Sequence, residues 1–392
     1  MVQWLSLEKL LGNLSYELWN LFMKVVVIAG TRPEAIKVAP IVLELRKRHE
    51  IEVLLCNSGQ HKQMIEETFF DFQLTPDISL DIMTPNQSLS SLSSKLYISI
   101  DTVLEKEKPD WVVVQGDTTT VMVSAMCAFY RKIKIAHVEA GLRSFDKLAP
   151  FPEEINRQIV TRIADLHFAP TRNAYANLLR EGINPDHAFI TGNTVIDALL
   201  WVKEYLKDKP QYLNENVKKS IEDGKKVILI TGHRRENFGR GFEEICMAIG
   251  ELANRYCDCL FVYPVHLNPN VQKPVNQYLS KYDNVLLLPP QSYLHFQALL
   301  NASYLVLTDS GGIQEEAPAL GKPVLVMRNV TERPEGIKTG CALLVGAKYS
   351  SIIEAVSKLI DDNDLYNQMA KAQNPYGNGH SSKKIVDAII KS

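Results

Sequence analysis

TDSGGIQEEAPALGKPVLVM, residues 308–327, has the pattern of a strand end, a glycine turn, a helix and a second strand. The apolar run 304–307 enters it as a strand, and the small and polar residues 309–312 predict a tight turn. Residues 313–320 favour a helix, and residues 324–327 read as the next buried strand. A chain that passes from strand through helix to strand is the repeating unit of an α/β fold with a parallel sheet.

The turn in this stretch is a candidate phosphate-binding site. Ser310, Gly311 and Gly312 place free backbone N–H groups at the positive end of a helix, where the glycines let a ligand approach closely. We expect Glu315 and Glu316 in the first turn, where they repel a bare phosphate but suit a ligand with neighbouring hydroxyls, such as a nucleotide ribose. An ordinary helix cap with acidic first-turn residues explains the same pattern and stays open at this point.

The bulk composition predicts a two-domain globular protein. The chain has 392 residues, of which 46% are hydrophobic and 22% charged, and its formal net charge is −2. This charge balance argues against nucleic acid as a partner, and no apolar run has the length of a membrane span. The six cysteines form no CxxC pair, which indicates a reducing, cytoplasmic environment without a zinc site or a disulfide framework.

Residues 1–22 are predicted to be an N-terminal appendage. Their leucines recur at helical spacing, with two tryptophans nearby. Three interpretations compete: a helix that packs on a partner, a helix on a membrane surface, and a leader upstream of a start at Met23. We expect a peripheral segment with little catalytic weight and chemistry that begins at Lys24.

The remainder alternates short apolar strands with helical runs. The predicted strands of the first half are 25–29, 52–57, 111–115, 133–138 and 166–169, with a weaker one at 188–191. Those of the second half are 227–231, 259–265, 285–288, 304–308 and 324–327. Continuous apolar strands separated by helices imply parallel sheets that are covered on both faces. The predicted fold class is therefore α/β, with two Rossmann-like doubly wound domains.

The two halves of the chain also resemble each other. VVVIAGTRPE (25–34) is similar to VILITGHRRE (227–236), and WVVVQGDTTT (111–120) is similar to YLVLTDSGGI (304–313). We place the domain boundary near Thr194, giving domains 23–194 and 195–375. Ligands of such sheets sit beyond the carboxyl ends of the strands, so two domains facing a cleft would gather all four motifs there.

Basic residues follow the first strand of each half. Arg32 and Lys37 lie where they can reach a diphosphate, although solvated helix charges are the simpler interpretation. HRREN (233–237) is a similar basic turn, so both domains offer cations to one anionic ligand. Arg333 follows a later strand and completes the set, whereas His266, between prolines, is expected to be a structural loop histidine.

Acidic residues follow three strands or helix starts in the first half. Asp117 ends a strand and is either the cap of the next helix or a catalytic acid. Glu139 follows another strand, with Arg143 as its expected partner, and Glu153 opens a helix one turn before Arg157. Three acidic positions at element ends favour a catalytic cluster.

These motifs occur together in one known family. They are GTRPEAIK, GDTTT, HVEAGLR, PEEINR, ITGNTVIDAL, HRREN, PVHLNP, TDSGGIQEEAP, TERPE and NPYGNG. From Lys24 onward the chain resembles the non-hydrolysing UDP-N-acetylglucosamine 2-epimerases. The resemblance implies domains of the glycosyltransferase-B type, a homodimer, and neither a nicotinamide nor a metal in the chemistry. It also implies that the C-terminal helix, within 376–392, packs back on the first domain.

The resemblance implies a reaction as well: reversible epimerisation of UDP-N-acetylglucosamine at C2, by anti elimination of UDP to a 2-acetamidoglucal and re-addition. The product, UDP-N-acetylmannosamine, would supply cell-surface polysaccharide synthesis. The implied catalytic residues are Asp117, Glu139, Glu153 and His233. The implied UDP- and substrate-binding residues are Arg32, Lys37, Arg157, Ser310, Gly311, Gly312, Glu316 and Arg333.

Bacterial members bind a second, activating substrate molecule, and the matching positions here are Gln60, Gln63, Glu153, Arg234 and His266. The chain departs from the family at three places: Asn86 and Lys62 replace arginines, and Gln115 replaces a histidine. Asn86 falls at the regulatory site, which puts activation by substrate in doubt. A glycosyltransferase, a hydrolysing epimerase and a nucleotide-sugar sensor without turnover remain alternative functions.

Overall fold

The computed structural model describes residues 22–59, 62–84 and 87–392, with only the backbone of Lys62 and Gln63. The chain divides into two compact units. The first runs to Ala198 and includes Gly379–Ser392, and the second is Leu199–Asn378. The division falls inside a helix that begins at Thr194. The predictions for residues 1–21, Gln60 and Asn86 and for the Lys62 and Gln63 side chains lie outside the described residues.

The first unit is built on a parallel sheet. Its strands are β1 (Met23–Ala29), β2 (Ile51–Asn57), β3 (Ile78–Ser79), β4 (Trp111–Gln115), β5 (Lys134–Val138), β6 (Leu166–Ala169) and β7 (Ala188–Ile190). Among the described residues the order is β3-β2-β1-β4-β5-β6-β7, and every pairing is parallel. The α-helices are Arg32–Leu45, Lys62–Asp71, Leu89–Glu107, Thr119–Tyr130, Glu153–Ile163, Arg172–Arg180 and Ser381–Lys391.

The second unit repeats this plan. Its strands are β8 (Lys226–Thr231), β9 (Cys259–Pro264), β10 (Val285–Leu288), β11 (Leu305–Thr308), β12 (Val324–Val326) and β13 (Ala342–Leu344), in the parallel order β10-β9-β8-β11-β12-β13. The helix Thr194–Tyr205 contains the division between the units. The other α-helices are Glu215–Glu222, Arg240–Arg255, Pro269–Leu279, Tyr293–Ala302, Gly311–Ala319, Pro334–Thr339, Tyr349–Asp361 and Asn363–Ala370.

Both sheets are doubly wound, which confirms the predicted fold class. In each unit the first strand lies in the interior of the sheet, and the chain adds strands on one side and then on the other. The predicted strands are all present, whereas β3 and β13 were not predicted. Strand β3 has only 2 residues, too few to carry a readable periodicity. Strand β13 has 3 residues, as do β7 and β12, which were predicted, so length alone does not explain its omission.

Strand β8 shows why these runs are apolar throughout. Val227 and Leu229 pack into the core on one face, and Ile228 and Ile230 pack into the core on the other. Successive side chains of a strand point to opposite faces, so helices on both faces require apolar residues at every position. The sequence pattern therefore follows from burial of both faces.

The C-terminal helix Ser381–Lys391 belongs to the first unit. Its N-terminus is capped by the carboxylate of Asp197, which accepts hydrogen bonds from the backbone N–H groups of Ser381 (3.2 Å) and Ser382 (2.8 Å). Further along, Asp387 pairs with Arg48 at 2.7 Å. Within the described residues, no helix is both long enough and apolar enough to cross a membrane.

His137 on β5 makes the stability of the first unit sensitive to acid. Its ring is fully buried, Nε2 lies 2.8 Å from the Gly116 carbonyl oxygen, and burial lowers the pKa to about 4 from the ordinary 6.5. Below pH 6.5 the unfolded chain binds a proton at His137 that the folded protein does not bind. The free energy of unfolding therefore decreases as the pH falls from 6.5 to about 4, the pKa of His137 in the folded protein.

Between pH 7 and pH 5 the unfolding free energy of the wild type falls. We expect this fall to be smaller by about 2 kcal/mol in His137→Gln. Urea unfolding at the two pH values measures this change. His187→Gln, at an exposed position, is the control and should leave the pH dependence as in the wild type. An unchanged pH dependence in His137→Gln would contradict the assignment of a neutral buried ring.

Candidate active site

The parallel strands bring the predicted motifs together at one edge of each sheet. In the first unit, Arg32 opens the helix that follows β1, and the loops after β4 and β5 carry Asp117 and Glu139. Strand β1 pairs with β4, and β4 pairs with β5. In the second unit, β8 and β11 pair directly, so the loops that carry His233 and Ser310 are neighbours.

Asp117 does not cap the helix that follows it. The cap is Thr118, whose hydroxyl accepts a hydrogen bond from the Val121 N–H at 3.3 Å. The Asp117 carboxylate instead pairs with Arg157 at 2.9 Å, and its backbone carbonyl accepts from the Asn156 side chain at 2.9 Å. Asp117 is therefore available for chemistry and is held by the helix Glu153–Ile163.

Glu139 has partners other than the one predicted. Its carboxylate forms an ion pair with Lys37 and accepts a hydrogen bond from the Gln115 side chain at 2.7 Å. Its backbone has a φ of +64°, a strained value for a residue other than glycine and one that is common at functional sites.

The expected pairing of Glu139 with Arg143 is wrong. The Arg143 side chain is fully buried and donates to both carboxylate oxygens of Glu181, at 2.6 and 2.8 Å, and to the Thr161 hydroxyl at 2.8 Å. Closeness in sequence suggested the first pairing. The fold decides otherwise, because Glu181 at the end of the helix Arg172–Arg180 offers Arg143 a bidentate partner.

The acidic residues of the first unit form one electrostatic cluster. Burial raises the pKa of Asp117 to about 6 from its ordinary 3.8, and the negative charges of Glu139 and Glu153 raise it further, while Arg157 and Lys37 oppose the shift. A carboxyl group with a pKa near neutrality can both accept and return a proton at working pH. The cluster therefore has the properties of a general acid–base site.

Arg32 interacts with a different acidic residue. Its charge acts on Asp71, whose pKa burial raises to about 6 against the opposing effect of Arg32. Lys37, one turn further along the same helix, faces Glu139 instead. The two cations predicted to bind diphosphate thus have different carboxylate neighbours.

In the second unit, the helix after β11 begins earlier than predicted. It spans Gly311–Ala319 with Ser310 as its N-cap, so both glycines are helical and the first-turn N–H groups have no acceptor within the helix. The prediction that Glu315 and Glu316 lie in the first turn is wrong for this reason. They lie in the second turn, and Oε1 of Glu316 reaches back to within 3.5 Å of a methyl group built on Gly312.

Each of these glutamates instead positions another side chain. Glu315 forms an ion pair with Arg333, and Glu316 accepts a hydrogen bond from Gln297. A methyl group built on Gly311 would lie 3.8 Å from Nη2 of Arg234 and 3.9 Å from the Arg333 guanidinium. Two guanidinium groups therefore flank the start of a helix, which is a strong site for an anionic ligand.

His233 is tied to the same turn through Asp309. One oxygen of the buried Asp309 carboxylate accepts from the backbone N–H groups of His233 (2.9 Å) and Arg234 (2.8 Å), and the other lies 3.8 Å from Nδ1 of His233. The His233 ring stacks on His266 with centroids 5.3 Å apart. Partial burial, with the charges of His266 and Arg234, lowers the pKa of His233 against the opposing effect of Asp309.

Arg234 and His266, which were predicted for a second substrate site, both lie beside residues of this turn. Arg234 lies near Gly311, and His266 stacks on His233. His266 also has the loop role expected of it, because its Nδ1 accepts from the Asn268 N–H at 3.0 Å ahead of the helix Pro269–Leu279. Three further residues were missed: Glu34, Gln115 as the partner of Glu139, and Asp309. Glu34 had a signal in the capping-box spacing of Thr31 and Glu34, and Gln115 had one in its replacement of the family's histidine.

A family model and the similar known proteins all indicate the same family. The family model described as UDP-N-acetylglucosamine 2-epimerase matches residues 43–390. The UDP-N-acetylglucosamine 2-epimerase of Yersinia pestis is 49% identical over 370 residues, which cover 94% of this chain and 98% of that protein. The chain belongs to the UDP-N-acetylglucosamine 2-epimerase family. It is an isomerase of the epimerase class.

Other members agree in sequence and in fold. The Escherichia coli K12 protein of that name is 48% identical, with 94% of this chain and 98% of that protein covered. A crystal structure of the Neisseria meningitidis UDP-GlcNAc 2-epimerase bound to UDP-GlcNAc is 47% identical, with a TM-score of 0.84. The similarity covers 94% of this chain and all of that one, so it includes both units.

Proposed function

We propose that this protein interconverts UDP-N-acetylglucosamine and UDP-N-acetylmannosamine by eliminating UDP and adding it back. The carboxylate cluster around Asp117 carries the proposal, because inversion at a carbon that bears hydrogen requires groups that remove and return a proton. Family membership supports the substrate, since the similar Neisseria protein is described as bound to UDP-GlcNAc.

The chemistry explains why the nucleotide leaves first. The C2 proton of the intact sugar is not acidic, because no carbonyl is attached to that carbon. As the C1–O bond to UDP breaks, positive charge develops at C1, and loss of the C2 proton to a carboxylate gives the C1=C2 double bond of a 2-acetamidoglucal. Return of a proton to the other face of C2, with attack of a UDP oxygen on C1, completes the epimerisation without net oxidation or reduction.

The residues divide between these two tasks. Arg333 and the N–H groups at the start of the helix Gly311–Ala319 hold the departing diphosphate, together with Arg32, Lys37 and His233. Glu316 accepts hydrogen bonds from the ribose. Asp117, Glu139 and Glu153 act as proton donors and acceptors at C2, and their negative charge stabilises the developing cation at C1.

Incubation with UDP-N-acetylglucosamine in D2O tests the function directly. We expect proton NMR to show both C2 epimers of the UDP-sugar, with deuterium incorporated at C2 as they interconvert. Turnover without exchange at C2 would refute elimination, and release of free N-acetylmannosamine would indicate a hydrolysing epimerase. Consumption of the UDP-sugar only in the presence of a sugar acceptor, without inversion at C2, would favour a glycosyltransferase, and binding without turnover would favour a sensor.

We also propose that the protein acts as a cytoplasmic homodimer whose product feeds cell-surface polysaccharide synthesis. The resemblance of the whole chain from Lys24 onward supports this proposal. Light scattering of the purified protein tests the dimer, which predicts twice the chain mass of 44.2 kDa.

A further inference from the structure

Glu34 is a buried carboxylate that joins two loops of the first unit. Its side chain is almost fully buried. One oxygen accepts hydrogen bonds from the backbone N–H groups of Gly30 (2.6 Å) and Thr31 (2.9 Å), and the other accepts from the Thr118 hydroxyl at 2.5 Å. The first two partners belong to the loop after β1, and the third belongs to the loop after β4.

These loops carry two residues of the proposed site. Arg32 directly follows Thr31, and Asp117 directly precedes Thr118. The Thr118 hydroxyl donates its proton to Glu34 and accepts from the Val121 N–H at 3.3 Å, so its orientation is fully specified. The Thr118 hydroxyl is therefore the hydrogen-bonded link between Glu34 and the loop that carries Asp117.

We propose that Glu34 is a positioning residue of the epimerase, which fixes the Asp117 loop against the Arg32 loop so that the carboxylate cluster keeps its geometry. The inference rests on the proposed function. Glu34 itself does not contact the cluster, because its hydrogen bonds are taken up by Gly30, Thr31 and Thr118.

The packing around Gly30 shows how closely these loops approach. A methyl group built on Gly30 would lie 2.4 Å from Oγ1 of Thr120 and 2.6 Å from Oγ of Ser58. No larger residue fits there, so the loop after β1 lies directly against the start of the helix Thr119–Tyr130. The Glu34 carboxylate links the same two segments by hydrogen bonds.

The position is also electrostatically coupled to Asp117. Burial raises the pKa of Glu34 to about 7 from 4.5, its three hydrogen-bond donors oppose this shift, and the charge of Asp117 adds to it. Asp117 in turn faces Arg157 and Glu153 on one helix, Glu139 after β5, and Lys37. Ionised Asp117 therefore disfavours the ionisation of Glu34.

The second unit contains the same kind of brace. There Asp309, after β11, holds the backbone N–H groups of His233 and Arg234 after β8, and accepts from the Asn237 side chain at 3.4 Å. In both units a buried carboxylate joins the loops that follow the central pair of strands. The recurrence supports a positioning role for Glu34 rather than chance burial.

The test compares Glu34→Gln, Thr118→Val and the double variant. We expect each single variant to lower kcat by roughly 10- to 100-fold, because a small misplacement of catalytic groups is enough for such a loss. KM should change little. The double variant should be no slower than the worse single variant, since both remove the same link.

Rescue by a conservative variant separates positioning from mere structural support. Because the pKa of Glu34, about 7, exceeds that of Asp117, about 6, Glu34 is mostly protonated where Asp117 titrates. Glu34→Gln and Thr118→Val should therefore both leave the limb of kcat/KM that reports Asp117 in place. Thr118→Ser keeps the hydroxyl and should restore kcat, which also controls for a folding defect in Thr118→Val.

Glu44→Gln is the matched control, because Glu44 lies on the same helix and pairs with Lys47 (2.8 Å) and Arg48 (3.3 Å) away from the site. Additive losses in the double variant, a kcat in Thr118→Ser as low as in Thr118→Val, or a lower unfolding midpoint with unchanged kcat would each overturn the proposal. A wild-type protein without C2 exchange would instead refute the proposed function.

Discussion

Replacing Asp117 by asparagine should abolish epimerisation and C2 exchange while UDP-N-acetylglucosamine still binds. Asparagine keeps the size of the side chain but cannot accept a proton, and loss of a general acid–base group lowers kcat by roughly 10³-fold. The pKa of about 6 places Asp117 where it can exchange a proton near neutral pH. Deuterium incorporation by NMR measures catalysis, and isothermal titration with the UDP-sugar measures binding.

Asp110→Asn provides a matched control for this prediction. Asp110 precedes the same strand, β4, at its opposite end, where its carboxylate accepts from the Lys24 N–H at 2.7 Å. That variant should turn over at the wild-type rate. An Asp117→Asn protein with more than about a tenth of wild-type exchange would remove Asp117 from the mechanism. Glu139→Gln should behave like Asp117→Asn, because Gln115 and Lys37 both orient its carboxylate.

Replacing Arg333 by glutamine should lower kcat/KM by roughly 10²-fold, the cost of losing a charged hydrogen bond to the diphosphate. The Arg333 guanidinium lies beside Gly311 at the helix start and is oriented by Glu315. Arg333→Lys should recover only part of the loss, because lysine keeps the charge but lacks the planar fork that matches phosphate oxygens. Steady-state kinetics and titration with UDP measure the effect.

Arg240→Gln controls for the general loss of positive charge in the second unit. Its side chain is 92% exposed and pairs only with Glu244 on its own helix among the described residues. We expect unchanged UDP affinity in that variant. Equal losses in Arg240→Gln and Arg333→Gln would mean that net charge, and not a built diphosphate site, determines binding.

The fold could be predicted from the sequence because a sheet buried on both faces requires strands that are apolar at successive positions. The run 111–114 (WVVV) is apolar at successive positions, and the predicted strands 111–115 and 166–169 match β4 and β6 residue for residue. The internal similarity between 25–34 and 227–236 likewise anticipated that β1 and β8 occupy equivalent places in their sheets. Strand β3 was not predictable, since its 2 residues carry no pattern.

The site was less predictable, because partners across a fold are distant in sequence. Asp117 pairs with Arg157, and Glu139 with Lys37, over separations that no local pattern encodes. Arg143 was the local choice for Glu139, yet it pairs with Glu181. The helix start at Gly311 was also placed too late, because two adjacent glycines suggested a turn.

The amino-acid sequence by itself determined the α/β class, the strands, the family and the identity of the candidate acids and cations. Only the tertiary structure decided which carboxylate meets which cation, that Glu315 and Glu316 lie past the first helical turn, and that Glu34 and Asp309 brace the loops. The physical reason is the range of each interaction. Backbone propensity and burial act over neighbouring residues, whereas ion pairs and side-chain hydrogen bonds join whatever groups the parallel strands bring to a common edge.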